Sequence, residues 1–496
     1  MTPWLTRTGA AALLCLALLG SGCSITDAPQ SAGGALPADI SVMSFNIEWG
    51  GKHVSFDNVV EAIRRADADI VGIQEAEGNL GELASALGWH YDRRSAVISR
   101  FPLIAPAGAD GHYVYAEIEP GRVVAVANVH LPSDPYGPYA VRDGAAVADV
   151  LQLESNTRLP DIRKTLAKLG PLLRPDLPVF LTGDFNTPSH EDWTGPAVGA
   201  RPYLYYSVSW PVTKLVAAAG FRDSWRRVHP DPVARPGLTW WAGRPPLAEY
   251  APGPRDPPDR IDYVWYAGPA TPHSSALVGE PEGPGVTVSV SPWPSDHRAV
   301  VSRFTVKPAP LPRFVAAEHH VYREGDAIKL RYNAGNGQAG HLSVHRESGA
   351  GPAIVEQAVT GTGRLRLGAQ TIVPGRYNLV LKTPATGDEM TGRFQVLERN
   401  ATPGVAVATG TYAVNEPIDV SWTNAPGNRN DYIAVFGAGN EQFTWRYIGA
   451  EPEGRLLIGN STLHSGWPLA PGTYTVRLLE DDGYTVLAKS DPFIVE

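Results

Sequence analysis

From Asp39 to Lys307, short apolar runs alternate with amphipathic stretches of helical period, and beyond Arg313 the helical period is gone. "ISVMSFNI", "ADIVGIQE", "SAVISR", "VVAVANVHL" and "LPVFLTGD" have the length and β-branched content of strands. "FDNVVEAIRRA" and "IRKTLAKLGPLL" read as helices, the first with Val59, Val60 and Ile63 on one face and Arg64 and Arg65 outward. Strands and helices interleaved in this way imply a layered α/β domain over residues 39–307. "KPAPLPR", residues 307–313, is its Pro-rich boundary.

The chain has 496 residues, too many for one ordinary core. Gly 51 and Pro 45 make 96 of 496, below the roughly 25–30% of a disordered chain. After the boundary, "YREGDAIKLRYN" is echoed by "YAVNEPIDVSWTN", and "PGRYNLVL" by "PGTYTVRL". The offsets are 412 − 322 = 90 and 471 − 374 = 97, so two similar units follow one another. Two all-β sandwich domains, residues 314–398 and 401–496, fit this repeat and are similar to immunoglobulin-like sandwiches. They lie far along the chain from the polar motifs of the first domain. They are expected to carry no charged cluster, to do no chemistry, and to act as outward-reaching units for docking on a surface or polymer.

The N-terminus is a targeting segment. Arg7, the apolar "GAALLCLALLG" and then "LLGSGC" resemble a bacterial lipoprotein signal over residues 1–22, with lipid attached at Cys23. Residues 23–38 then form a flexible tether, and Ser24 goes with sorting to the outer membrane. Localisation at the cell envelope, lipid-anchored to a membrane, is the expectation. The only other cysteine, Cys15, lies inside the signal, so the body has no disulfide and no Cys–metal site.

Six strand-like runs stop at, or start from, a polar residue able to do chemistry. These are Asn46 in "SVMSFN", Glu75 in "DIVGIQE", His130 in "VVAVANVH", Asp184 and Asn186 in "VFLTGDFN", Asp262 in "DRIDYVWY" and Asp296-His297 in "PSDHRAVV". One such residue is a turn; six imply that the strand ends converge on a site. If the strand runs on through Asn186, Asp184 and Asn186 share a side as i and i+2 neighbours. Carboxylates, amides and two imidazoles suit a hard cation, Mg²⁺ (or Mn²⁺), better than zinc. No P-loop and no G-x-S-x-G elbow is present, which argues against nucleotide triphosphatases and serine hydrolases of those types.

Taken in order, "SFNIEWGG", "VGIQE", "NVHLP", "GDFNTP", "DRIDYV" and "SDHRAV" resemble the endonuclease/exonuclease/phosphatase (DNase I-like) superfamily over about 270 residues. The resemblance implies a four-layer α/β sandwich. It also implies a metal-dependent hydrolase of phosphoric esters, acting by in-line attack of water. Glu75 would be the main metal ligand, with Asn46 and Asp296 near the cation. Asp184 would orient or deprotonate the water, and Asn186 would bind it or the phosphate. His297, held by Asp262, and His130 would contact the phosphoryl group. Either Asp184 or His297 could be the base.

The substrate is less constrained. Tyr136, Tyr139 and Arg142, in the long loop after His130, could bind it by stacking or by gripping a phosphate. A phosphodiesterase is favoured, with an extracellular nuclease as the alternative. A net charge of −9 gives no overall basic footprint for nucleic acid. A binding or adhesion module with an inactive catalytic-like domain is the reading from a different class. Asp223 and Asp259 are weaker candidates that could simply brace the fold.

Overall fold

The computed structural model describes residues 36–201, 203–243, 255–347, 351–368, 372–459 and 466–496. The expected signal, Cys23 and most of the tether lie outside these residues. Among the described residues no helix is long and apolar enough to cross a membrane.

Two sheets stack face to face in the first domain. One is built around Ala38–Asn46, paired antiparallel with Ala299–Val306 and parallel with Ile70–Gln74. The other is built around Val179–Asp184, parallel to Arg122–His130 and antiparallel to Asp262–Ala267. Strand alternation sorts the apolar side chains into three cores. Ile40, Val42 and Ile70 meet Val124, Val126, Phe180 and Val264 between the sheets. Met43, Phe45, Val71 and Ile73 turn the other way, onto Val59 and Ile63 of the helix Phe56–Ala66 and Leu83 of Leu80–Leu87. On the opposite outer face, Val129, Leu181 and Trp265 pack on Ile162 and Leu169 of Leu159–Leu169 and on Val212 and Val216 of Pro211–Ala218. The result is helix, sheet, sheet, helix, as the α/β four-layer reading requires. Helix Phe56–Ala66 starts where Ser55 Oγ accepts from Asn58 N (3.3 Å), and Val59, Val60 and Ile63 are its buried stripe.

Under the site the two sheets approach unusually closely. A Cβ on Gly72 would lie 2.0 Å from Thr182 Oγ1 and 2.5 Å from Asn128 Oδ1, so only glycine fits. The space holds a dry polar network instead of apolar packing. Gln74 Nε2 donates to Asn128 Oδ1 (2.7 Å), Thr182 Oγ1 to the same oxygen (3.0 Å) and Gly183 N to Ser44 Oγ (3.0 Å). Gly183 is equally forced, since a Cβ there would sit 2.3 Å from Val129 O. These bonds tie the ends of four strands together, which limits how far the groups they carry can drift.

The C-terminal half is all β among the described residues. Each unit sets a three-stranded sheet against a larger one, around the cores of Val315, Leu330, Leu342 and Leu379 and of Ile418, Val420, Ile433 and Val476. Trp422 belongs to the second core. The Pro-rich boundary is docked along its length. Ala309–Pro310 pairs with Arg122 and Val123, and Leu311, Phe314 and Ala316 join the first domain's outer core. Arg331 of the first sandwich forms an ion pair with Glu117. The expectation that both sandwiches reach outward is therefore corrected. Their exposed-looking polar residues, Arg331 here and an acidic hairpin described below, are partners for the first domain.

Candidate active site

Strand register puts the chemistry in one row. His130 is beside Asp184, and Asp184 is beside Asp262, on three adjacent strands. Asn46 is beside Gln74 in the facing sheet, so Glu75 follows directly. Asp296 and His297 precede Ala299–Val306, the strand on the other side of Ala38–Asn46. Six of the eight residues expected to be catalytic or metal-binding line one cleft, and the other two, Asn46 and Asp262, are buried behind it and bonded to Glu75, Asp184 and His297.

Asp184 is at its centre, 1% exposed. Its Oδ1 accepts from Asn186 N (2.9 Å), and its Oδ2 accepts from Asn46 Nδ2 (3.1 Å) and Asn186 Nδ2 (3.3 Å). The same Oδ2 is 3.6 Å from His130 Nε2 and 3.7 Å from His297 Nε2. Each imidazole gives its other nitrogen to a second carboxylate. His297 Nδ1 is 2.9 Å from Asp262 Oδ2, and His130 Nδ1 is 2.8 Å from Asp482 Oδ2. Glu75 Oε1 accepts from Asn46 Nδ2 (2.9 Å), and Glu75 Oε2 from Trp49 N (3.3 Å). Asp296 is the most open acid, its N–H fixed on Glu48 Oε2 (3.0 Å) and its side chain 36% exposed.

The electrostatics follow from burial and pairing. Desolvation raises both Glu75 and Asp184 above the usual carboxylate range, against the pull of the imidazoles. Burial alone would lower His130, but the Asp482 hydrogen bond and the charges of Asp482, Asp184 and Glu75 outweigh it and push it up to about 10. His297 is likewise lifted well above its ordinary value by Asp262, Asp184 and Asp296, against desolvation. Both rings are thus drawn toward the charged form by their carboxylates, and their Nε2 atoms converge on Asp184 Oδ2.

Several expected details differ. Asp184 and Asn186 do meet, but not as i and i+2 of a strand. The strand ends at Asp184, and Asn186 has φ 48, a left-handed turn that folds it back. Its amide is used on Leu131 O (3.0 Å) and Asp184, so it braces the acid. Asn46 presents its NH₂ to the acids, because Glu48 N takes its Oδ1 (3.0 Å), so it links Glu75 to Asp184. Arg142 is paired with Asp143 (2.8 Å) and Asp256 and stacked on Tyr139, its charge already neutralised. Tyr136 and Tyr139 line the cleft, though Tyr136 OH is fixed on Asp259 Oδ2 (2.9 Å). Asp259 and Asp223 brace the fold: Asp223 caps the helix Ser224–Val228 and pairs with Arg260 (2.6 Å).

Sequence reasoning missed the far wall. The second sandwich contributes Tyr432, Trp445, Tyr447, Asp482 and Tyr484 to the cleft, whose lining also includes Trp49, Tyr139 and Trp240, with Tyr484 edge-on to Trp49 at 6.0 Å. The cleft's volume is about 540 Å³. The signal was present as Glu480-Asp481-Asp482, an acidic run in a region expected to have none. A larger cavity, about 670 Å³, lies in the seam beside the first sandwich, away from these groups.

The donor set suits a divalent cation. Glu75, Asp184 and Asp296 are hard oxygen donors, and two of them are buried acids whose charge is penalised by desolvation. Asp184, Asp262 and His297 also offer ligand atoms within 4.8 Å of one another. Asp262, however, is committed to His297 Nδ1, which fits an oriented imidazole better than a third open ligand.

Comparison with known proteins follows the same outline. An uncharacterized protein of Caenorhabditis elegans is 29% identical over 322 residues, covering 59% of this chain and 98% of its own. D. rerio TDP2 complexed with single-strand DNA product is 16% identical, covering 54% of this chain and 99% of that one, TM-score 0.33. A family protein from Bacteroides thetaiotaomicron is 14% identical, covering 55% and 97%, TM-score 0.34. The model of the endonuclease/exonuclease/phosphatase family matches residues 43–297, which is 297 − 43 + 1 = 255 of 496 positions and spans the motifs from Asn46 to His297. With just over half its length matched, the chain belongs to the endonuclease/exonuclease/phosphatase family.

Proposed function

We propose that the protein is an exported, lipid-anchored, Mg²⁺- or Mn²⁺-dependent hydrolase of phosphoric diesters. The observation that carries the reading is a buried Asp184 facing two carboxylate-held imidazoles across a cleft that also holds Glu75 and Asp296. Glu75 and Asp296 would hold the cation, which would supply charge for the phosphoryl oxygens and for the attacking water. Asp184 accepts the water's proton as the water oxygen bonds to phosphorus and the ester P–O bond breaks. His297 and His130, held toward the charged form by Asp262 and Asp482, would donate Nε2–H to the non-bridging oxygens, and one of them would give a proton to the leaving alkoxide. The carboxylate bonds on their Nδ1 atoms favour Asp184 over His297 as the base in this reading.

Substrate size is limited by the walls. Tyr432, Trp445 and Tyr484 line the cleft together with Trp49 and Trp240, and a cleft walled by two domains suits a small diester or a single-stranded end better than a duplex. Aromatic faces at the rim favour a base or another planar group on one ester arm. The net charge of −9 points the same way. Purified protein should hydrolyse bis(p-nitrophenyl) phosphate with Mg²⁺ or Mn²⁺ and stop with chelator. No turnover of any phosphate ester by folded protein, with every divalent metal, would overturn the reading. Labelling of Cys23 by a fatty-acid probe in bacterial cells, lost in Cys23→Ser, tests the anchor.

A further inference from the structure

The family-matched segment leaves one of its two imidazoles without a fixed tautomer. Within residues 43–297 Asp262 orients His297, but no described carboxylate there bonds His130 Nδ1; Glu75 and Asp184 approach only its Nε2, at 3.9 and 3.6 Å. We infer that Asp482, on a hairpin of the second sandwich, is the positioning residue for His130, so that a domain outside the matched segment completes the active site. The inference rests on the proposed role of His130.

The hairpin is built to hold that carboxylate. Asp482 Oδ2 accepts from Asn430 Nδ2 (2.6 Å) as well as facing His130, and Tyr447 OH donates to its Oδ1. Asp482 N donates to Asn430 O (3.1 Å). The neighbouring Asp481 ties the loop to both domains. Its N–H donates to Asp431 Oδ1 (3.1 Å), and its own carboxylate accepts from Asn430 N (3.3 Å) and from Gly78 N (3.3 Å), three residues past Glu75. The seam is pinned away from the cleft by Arg93 on Asn428 Oδ1 (2.9 Å), Arg429 on Arg94 O (3.2 Å) and Arg94 with Glu451 (3.4 Å). A passing surface contact would need none of this support. A carboxylate held by two side chains and aimed at one ring nitrogen fixes that ring's rotation and keeps a proton on Nδ1.

The test uses the full chain with bis(p-nitrophenyl) phosphate and Mg²⁺, comparing Asp482→Asn, Asp482→Ala, Asp482→Glu and His130→Ala, with thermal unfolding alongside. Asp482→Asn keeps the shape and guards against a folding failure of the alanine variant. The expected result is a fall in kcat of about 10–100-fold for Asn and Ala with KM within about twofold. Asp482→Glu should recover part of it. In a His130→Ala background, Asp482→Ala should cost no more than about twofold further, because it acts through the ring. Wild-type kcat in both Asp482 variants, with His130→Ala impaired, would overturn the inference and leave the site reading standing. So would full additivity in the double variant. Wild-type kcat in His130→Ala would overturn the role of His130, and the inference with it.

Discussion

Replacing Asp262 by Asn changes one charge in a fixed geometry. The carboxylate is fully buried, 2.9 Å from His297 Nδ1, and is the largest favourable charge on that ring. Two unit charges at that separation attract by about 5–6 kcal/mol at an effective dielectric constant of 20. An amide oxygen restores part of this as a neutral hydrogen bond of roughly 1 kcal/mol. The imidazolium therefore loses several kcal/mol of support, and the His297 pKa falls. The sign is definite. In the wild type Asp262 favours the charged ring and holds the His297 pKa above its ordinary value. In Asp262→Asn the charged fraction is lost as pH rises through the lowered pKa, so activity declines there while the wild type's does not. An amide that turns its NH₂ to Nδ1 also forces the wrong tautomer. The expected fall in kcat is about 10²–10⁴-fold, the range for a misdirected acid–base imidazole. The assay is diester hydrolysis from pH 5.5 to 9 at saturating metal, with unfolding temperature as the control. A folded Asp262→Asn protein within threefold of wild type at every pH would refute the reasoning.

A chain ending at residue 398 keeps the first sandwich and the docked boundary but loses Asp482 and the far wall; its kcat on bis(p-nitrophenyl) phosphate should fall by about 10-fold or more. Retention of the full rate would return the second sandwich to a docking role. Arg260→Ala leaves Asp223 buried without its ion pair (2.6 Å in the wild type) and Asp192 with Arg226 alone, and chemical denaturation should show a loss of about 3 kcal/mol. Asp431 is pushed up to about 8 by burial and then by Asp481, so its contribution to stability is full below its unfolded pKa and is lost as pH rises through about 8. The unfolding temperature of Asp431→Asn relative to wild type should therefore climb between pH 4 and 8, and a flat difference would refute this.

The candidate site residues of the first domain were legible because each is local: an apolar strand and then a polar end, with register doing the rest. Convergence could be inferred from six such ends without knowing the sheet order. What the ends do to each other was less legible. That Asn46 would turn its NH₂ inward depends on Glu48 N claiming its oxygen, and that Asn186 would brace depends on a left-handed turn. Arg142 read as a phosphate grip because its partners Asp143 and Asp256 flank it from two loops. The role of Asp482 was hidden for a stronger reason: 352 residues separate it from His130, and the acidic run that carries it does not say what it faces.

That distance also bears on how substrate choice is built here. The strand ends are fixed by dry hydrogen bonds between sheets, so altering them would disturb the chemistry and the core together. The far wall hangs on a separate β framework, whose core is closed by Ile418, Val420 and Val476. Residues such as Tyr484 and Trp445 can change there without touching Asp184 or Glu75. Asp482 makes the two parts interdependent, because the hairpin that bounds the cleft also holds His130. A substrate that cannot fit beneath the wall cannot be accommodated by swinging the second sandwich aside, since that motion would withdraw the carboxylate from the ring. If Asp482 positions His130 as inferred, size selection and catalytic competence are one structural event in this chain.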